Sequence, residues 1–203
     1  MELKRFLEKL ASATPTPGGG STSALAGALS SSLVAMVAGL SSKKDGTKQK
    51  EMEEIRKKAL VIQKRLFQAI DEDAKSFDGV IKAFRLPKGS DKERLHRIQE
   101  IQKAYQKATL TPQLVCEQSL HLLEYSKILI LKGNQNAISD AGVAAFLADA
   151  ALEGGMLNIG INLVAGTEKN YLKKMNVLMK RWTKKRNLIM KAILEKLAGI
   201  HSV

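Results

Sequence analysis

A single cysteine, Cys116, in a chain of 203 residues leaves no disulfide framework, so an apolar core has to hold the fold together. The apolar neighbours of Cys116 suit a buried, inert thiol better than a nucleophile. Prolines number four, and aromatic side chains make up 4% of residues. With the strongest helix breaker nearly missing and Ala, Leu, Ile, Lys and Gln abundant, the expectation is an all-α protein. Residues 1–203 are read as one helical, bundle-like domain, large enough to bury a core. His96, His121 and His201 lack ligand-like spacing, and no HExxH pattern or Cys/His pair occurs, so no metal site is expected. A Gly-x-Ser-x-Gly nucleophile motif is missing as well. The start Met1-Glu2-Leu3-Lys4-Arg5 carries no apolar signal core, which points to the cytoplasm.

Acidic residues are outnumbered, 20 against 33 Lys and Arg, for a net charge of +13. Such a balance invites a nucleic-acid reading. Its distribution argues otherwise, because Thr167 to Leu197 alone holds ten Lys/Arg against two Glu. There Leu172, Met175, Leu178, Met179, Trp182, Ile189, Ile193 and Leu197 form a helical stripe, and the lysines are its solvated face. Aromatic residues for base stacking are scarce, so no nucleic-acid partner is expected and a basic nucleic-acid-binding helix stands as the alternative of another class. From Gly133 to Gly166 the balance reverses, with three acidic residues and no basic one.

No charge at all occurs between Lys9 and Lys43, and this stretch organises the chain. Pro15 and Pro17 block helix before Gly18-Gly19-Gly20, Ser21 is the expected N-cap, and Ala24, Leu25, Ala28, Leu29, Ser32, Leu33 and Met36 repeat at helical spacing. Unpaired N–H groups at such a helix start, with no Cβ to hold a ligand off, suit an anion or a carbonyl oxygen. An ordinary tight turn before a core helix is the plainer reading. A Walker loop is excluded, since Gly20 leads to Ser21-Thr22 without a lysine. Gly27, Ser31, Ala35 and Gly39 give the helix a small-residue row over which another backbone can approach closely. The run is long enough to span a membrane, yet its serines and few large apolar side chains fit a packed core, so no membrane is expected.

From about Lys48 to Phe84 one long central helix is expected, with Ile55, Ala59, Ile62, Leu66, Ile70, Asp73, Phe77, Val80 and Phe84 nearly in heptad register. Asp73 therefore occupies a seam position, whereas Asp71 and Glu72 fall off the stripe. An ionised carboxylate on a buried face costs several kcal/mol unless paired or protonated. Asp73 is accordingly either half of an ion pair with a lysine of another helix or a tuned acid or base facing a pocket.

Arg85-Leu86-Pro87 ends that helix. A polar helix capped by Ser90 or Asp91 is expected to about Ala108, with Leu95, Ile98, Ile101, Tyr105 and Ala108 inward. Thr111-Pro112 then reads as the start of a separate core helix ending at Gly133. Past Gly133 an amide-rich loop containing Asn136 leads into a small-residue helix from Ala141 to Glu153, with Asp140 at its start as a helix-start acid favoured by the macrodipole. Gly154-Gly155 is expected to loosen the chain before Asn158 and Asn162, one turn apart on an apolar segment, whose amides must find hydrogen-bond partners. Leu3, Phe6, Leu7 and Leu10 face inward on a short first helix.

Taken in order, Thr14-Pro15-Thr16-Pro17-Gly18-Gly19-Gly20-Ser21, Asp71-Glu72-Asp73-Ala74 followed by Phe77, Arg85-Leu86-Pro87-Lys88, Asn136-Ala137-Ile138-Ser139-Asp140-Ala141-Gly142-Val143-Ala144 and Asn158-x-x-x-Asn162-Leu163 resemble the formiminotetrahydrofolate cyclodeaminase family over essentially the whole chain. The resemblance implies a helical domain that dimerises, binds a reduced folate and converts 5-formiminotetrahydrofolate to 5,10-methenyltetrahydrofolate with release of ammonia. A related branch acts as methenyltetrahydrofolate cyclohydrolase. No cofactor is implied, because the tetrahydrofolate derivative is itself the substrate, and a separate formiminotransferase is a possible partner. The family's catalytic aspartate carries over to Asp73, with Asp71 the second claimant. Gly18, Gly19, Gly20, Ser21, Asn136, Asp140, Asn158 and Asn162 are the substrate-binding candidates, and Arg85 or Lys88 candidates for the glutamate tail. Apart from the resemblance, the small-residue helices and the long seam leave more apolar surface than one chain covers, which also predicts a two-fold homodimer.

Overall fold

Small residues let the second helix sit where a bulkier one would not, and the three longer helices nearest it pack around it. The computed structural model describes residues 2–42, 49–164 and 168–200. Among them are six α-helices and no strand: α1 (Leu3–Leu10), α2 (Gly19–Ser42), α3 (Gln49–Phe84), α4 (Asp91–Lys132), α5 (Ile138–Val164) and α6 (Lys169–Leu197). Lys43 to Lys48, with the helix start expected at Lys48, and Gly166, Thr167 and His201 lie outside the described residues.

Helix α2 runs antiparallel to both α3 and α5. On the α3 side, Ser21 meets Ile70 and Gln63 donates to Ser32 Oγ at 2.7 Å. On the α5 side, Ser30 donates to the Ala144 carbonyl at 2.7 Å and a Cβ at Gly27 would lie 3.6 Å from Ala151 Cβ. The other buried serines of α2 are satisfied within the helix, Ser23 on the Gly19 carbonyl and Ser41 on that of Val37. Two helices, α2 and the stretch from Gln135 to Leu163, are long and apolar enough to cross a membrane by composition, and they pack on each other here.

Three expectations change. Pro112 does not begin a helix but lies inside α4, which runs unbroken for 42 residues from a capping box at Ser90 and Glu93. Proline there removes the N–H that would bond to the Ala108 carbonyl. Asn162 Nδ2 donates to that carbonyl at 3.2 Å, so a side chain from α5 replaces the missing backbone bond. Gly154-Gly155 does not loosen the chain either, since α5 continues through it. A Cβ at Gly154 would collide with Ser23 Oγ, and one at Gly155 would lie 2.6 Å from Cys116 Sγ. These glycines serve close helix packing rather than a break. Finally, the apolar stripes overstate burial at the ends: Leu3, Leu7, Leu95 and Ile98 are more than half exposed, and Phe77 and Phe84 remain 38% and 44% exposed. These side chains lie on α1 and on the α3–α4 ends, where fewer helices surround them.

The basic stripe of α6 folds as expected, with Met175, Trp182, Ile189, Ile193 and Leu197 buried. Its charge meets the acidic stretch of α5 through a fork of Arg186 on Asp149, both bonds 2.6 Å, with Glu153 at 3.5 Å, and Lys185 pairs with Glu124 of α4 at 2.6 Å. Cys116 is fully buried and desolvation pushes its thiol far above the ordinary range, consistent with an inert side chain.

Candidate functional site

The N-terminal turn of α2 abuts the carboxylate of Asp73. Its first residues, Gly19 and Gly20, follow the cis Thr16-Pro17 bond, and Ser21 lies within the helix rather than capping it. The expected N-cap role is thus corrected: Gly18 supplies the first carbonyl, accepting from the Thr22 N–H at 3.0 Å and the Thr22 hydroxyl at 2.9 Å. Ser21 is fully buried and turns its hydroxyl across to α3, 3.0 Å from the Ile70 carbonyl and 3.1 Å from Asp73 Oδ2. The Ser21 backbone N–H also donates to the Asp73 carboxyl. Asp73 therefore does from α3 what a capping side chain does locally: it accepts hydrogen bonds from the unpaired donors of the α2 start.

Gly20 is what lets the carboxylate come so close. A Cβ there would lie 2.6 Å from both Cγ and Oδ2 of Asp73 and closer still to Oδ1. One at Gly19 would rest 3.6 Å from Asn158 Nδ2, an ordinary contact.

Asp73 is half-buried, and no Lys or Arg lies within ion-pair distance of it among the described residues. That removes the ion-pair alternative. Burial raises its pKa above the ordinary 3.8, opposed by the Ser21 side-chain and backbone hydrogen bonds. Desolvation prevails over two donors and the positive end of a helix dipole, which together favour the anion. The result is a carboxyl group with no fixed counter-charge and a proton affinity moved toward neutrality.

This carboxyl forms one wall of a cleft of about 240 Å³. Pro15, Thr16 and Gly18 to Gly20 come from the α2 entrance, Ser76, Phe77 and Val80 from α3, Tyr105 and Ala108 from α4, and Asn158, Ile161 and Asn162 from α5. Asn158 Nδ2 donates to the Gly154 carbonyl at 2.8 Å, and Asn162 holds Ala108 as described. The structure thus brings together Asp73, Gly18, Gly19, Gly20, Asn158 and Asn162, with Ser21 behind the carboxylate.

It does not bring Asn136, Asp140 or Asp71 to that cleft. Asn136 lies where the Asn134 N–H bonds Ser41 Oγ at 2.9 Å, at the other end of α2, and Asp140 follows at the start of α5. Asp140 lies one turn before Ala144, whose carbonyl meets Ser30 in the middle of α2, and is 18 residues, or about 27 Å, along α5 from Asn158 of the cleft. Asp71 is exposed on the opposite side of α3. Arg85 and Lys88 do not line it either. Instead a hollow of about 380 Å³, sharing Ser76 with the cleft, is lined by Lys75, Lys82, Lys103 and Lys107. Glu100 pairs with Lys103 at 2.7 Å. The signal for these lysines was their i, i+7 and i, i+4 spacing on helices that turn out to face each other. The signal for the Asn162 bond was Pro112, which leaves the carbonyl four residues earlier without its backbone donor. Among the described residues no three His, Cys, Asp or Glu gather as metal ligands.

Known proteins share this architecture. A methenyltetrahydrofolate cyclohydrolase of Methylorubrum extorquens is 37% identical over 162 residues, covering 79% of this chain and 78% of that protein. The formimidoyltransferase-cyclodeaminase of Gallus gallus is 28% identical over 204 residues, 96% of this chain but only 37% of the longer chicken protein. The crystal structure of formiminotetrahydrofolate cyclodeaminase from Thermotoga maritima superposes with a TM-score of 0.89 at 28% identity, covering 98% of this chain and 97% of the other. With residues 2–181 matching the family model described as formiminotransferase-cyclodeaminase, and a solved relative superposing over nearly the whole chain, the chain belongs to the formiminotransferase-cyclodeaminase family.

Proposed function

We propose that the protein is a formimidoyltetrahydrofolate cyclodeaminase that closes 5-formiminotetrahydrofolate to 5,10-methenyltetrahydrofolate and releases ammonia. The observation that carries this reading is Asp73: a half-buried carboxyl without a cationic partner among the described residues, on the wall of a cleft with glycine backbone and amide side chains around it. N10 attacks the amidinium carbon on N5 and must lose a proton as the ring forms. The resulting aminal expels ammonia only once that nitrogen is protonated. Asp73 as the anion attracts the amidinium and takes the N10 proton, and as the acid it returns that proton to the leaving amine. Asn158 and Asn162 offer amide edges for pterin recognition. The lysines of the adjoining hollow suit the carboxylates of the folate's glutamate end better than Arg85 or Lys88.

The 37% identity to a cyclohydrolase of similar length favours a second reading, in which water attacks the methenyl carbon and Asp73 serves as its base. The same carboxyl suits both directions of proton transfer. One assay separates them: methenyl absorbance and ammonia appear from formiminofolate in the first case, and methenyltetrahydrofolate is consumed without ammonia in the second. Asp73→Asn keeps the shape and an acceptor for the α2 donors but moves no proton, so turnover should fall at least about a hundredfold in a folded, folate-binding protein. Near-normal turnover of a stable Asp73→Asn variant would reject the assignment.

A two-fold dimer is part of this reading. Leu29, Met36 and Leu40 on α2 and Phe67 on α3 are more than two-fifths exposed, and Leu29 and Phe67 line an apolar groove of about 410 Å³. Light scattering at micromolar concentration should give twice the chain mass, and a monomer would remove the dimer from the proposal.

A further inference from the structure

Ser21 has one hydrogen and two acceptors. Its hydroxyl lies 3.0 Å from the Ile70 carbonyl and 3.1 Å from Asp73 Oδ2, wholly shielded from water. A serine inside a helix ordinarily bonds a carbonyl of its own preceding turn, as Ser23 and Ser41 do in α2. Ser21 reaches instead to another helix. The Ile70 carbonyl lies in mid-α3, where the Ala74 N–H already has it as helical acceptor, so it does not require a second donor to be satisfied. What the pair of acceptors provides is a choice of direction for the hydroxyl hydrogen, which rotates to suit its surroundings.

That choice matters when the neighbouring carboxyl changes charge. With Asp73 ionised, the Ser21 hydrogen points at Oδ2 and stabilises the anion. With Asp73 protonated, its own O–H needs an acceptor, and Ser21 Oγ becomes one when its hydrogen turns to Ile70. We infer that Ser21 is a positioning residue, a buried hydroxyl rotor that holds Asp73 in one place in both of its protonation states.

The inference rests on the reading of Asp73 as the group that moves the proton. When Asp73 accepts the N10 proton on Oδ2, that O–H turns to Ser21 Oγ and the Ser21 hydrogen swings from Oδ2 to the Ile70 carbonyl. To pass the proton to the leaving amine the Asp73 O–H turns back to the cleft, and the Ser21 hydrogen returns to Oδ2. Ser21 neither gains nor loses a proton, and no heavy atom has to move. Other groups around the carboxyl do not duplicate this. The first turns of α2 carry no titratable side chain, α5 faces the cleft with Asn158 and Asn162, and α4 with Tyr105. Lys75 of α3 and Lys107 of α4 stand beyond Ser76 in the adjoining hollows.

The test compares wild type, Ser21→Ala, Asp73→Asn and the double variant. Removing the hydroxyl should lower kcat roughly ten- to a hundredfold, the loss of one hydrogen bond to a charged group, with KM little changed. The acidic limb of the kcat/KM profile should move to higher pH, because the anion loses a charge-assisted donor whereas the acid loses only a weaker neutral acceptor. In the Asp73→Asn background, Ser21→Ala should leave the residual rate unchanged. A purely structural serine would lower the melting temperature of both backgrounds without shifting the pH profile. Carbon-13 titration of the Asp73 carboxyl in the folate-free protein provides a readout independent of turnover. There the Asp73 midpoint should rise in Ser21→Ala. An unmoved midpoint overturns the rotor even in an active enzyme. A wild-type protein that turns over no folate rejects the proposed reaction while leaving that titration to decide the Ser21–Asp73 coupling.

Discussion

Adding one methyl group at Gly20 tests the site at its closest approach. A Cβ there would lie 2.6 Å from Asp73 Cγ and Oδ2, whereas ordinary contact begins near 3.4 Å. The carboxylate must retreat by about 1 Å, or the start of α2 must lift away from α3. Misplacing a reacting group by that distance costs on the order of a hundredfold in rate. Overpacking of this kind destabilises by about 1–3 kcal/mol, and the helix preference of alanine over glycine returns about 1 kcal/mol. Stability should therefore fall by roughly 0–2 kcal/mol, a melting shift of at most several degrees for a chain of this length. Gly19→Ala is the matched control. Its Cβ would sit 3.6 Å from Asn158 Nδ2, so it gains helix preference without a clash and should melt at or above wild type with turnover within a few-fold. Single-turnover rates, folate affinity and thermal melts on both variants make the comparison. Equal rate losses in the two variants, or a Gly20→Ala protein as fast as wild type, would refute the claim that this glycine sets the position of Asp73.

Two further outcomes follow from the same contacts. Burial raises the Asp73 pKa, so the folded chain binds more protons than the unfolded one between the ordinary 3.8 and its raised value. The carboxyl then removes stability as pH rises through that window. Asp73→Asn abolishes this, so its melting temperature relative to wild type should climb as pH rises from the ordinary 3.8 through the raised value, and a falling difference would show the carboxylate to be a stabilising anion. Pro112→Ala restores an N–H for the Ala108 carbonyl and should stabilise α4 by about 1–3 kcal/mol. The restored bond competes with Asn162, so KM should rise several-fold while kcat changes little, and an unchanged KM would mean that Asn162 is held by other contacts.

Local chemistry was enough to make the chain helical: few prolines, apolar residues at helical spacing, the capping box at Ser90 and Glu93, and small residues on α2 and α5 that permit close packing. Seam register also singled out Asp73, because a carboxylate among Ile70, Phe77 and Val80 conflicts with burial whatever the fold. Its environment was another matter. Whether that carboxyl met a lysine or the bare start of α2 depended on which helix crossed α3 there, and a pattern within one helix carries no information about its neighbour. The same limit misjudged Pro112 and Gly154-Gly155, which look like breaks in isolation. Asn162 supplies the donor that proline lacks, and Ser23 and Cys116 occupy the space where the Cβ atoms of those two positions would be. Asn136 and Asp140 read as site residues because they stand in a motif, yet Asn136 lies at the far end of α2 from Asp73 and Asp140 at the opposite end of α5 from the cleft. Sequence determined which residues were out of place on their own helix. Only the antiparallel packing of α2 against α3 and α5 decided which of them share a cleft, since that requires side chains about 50 to 140 positions apart to meet.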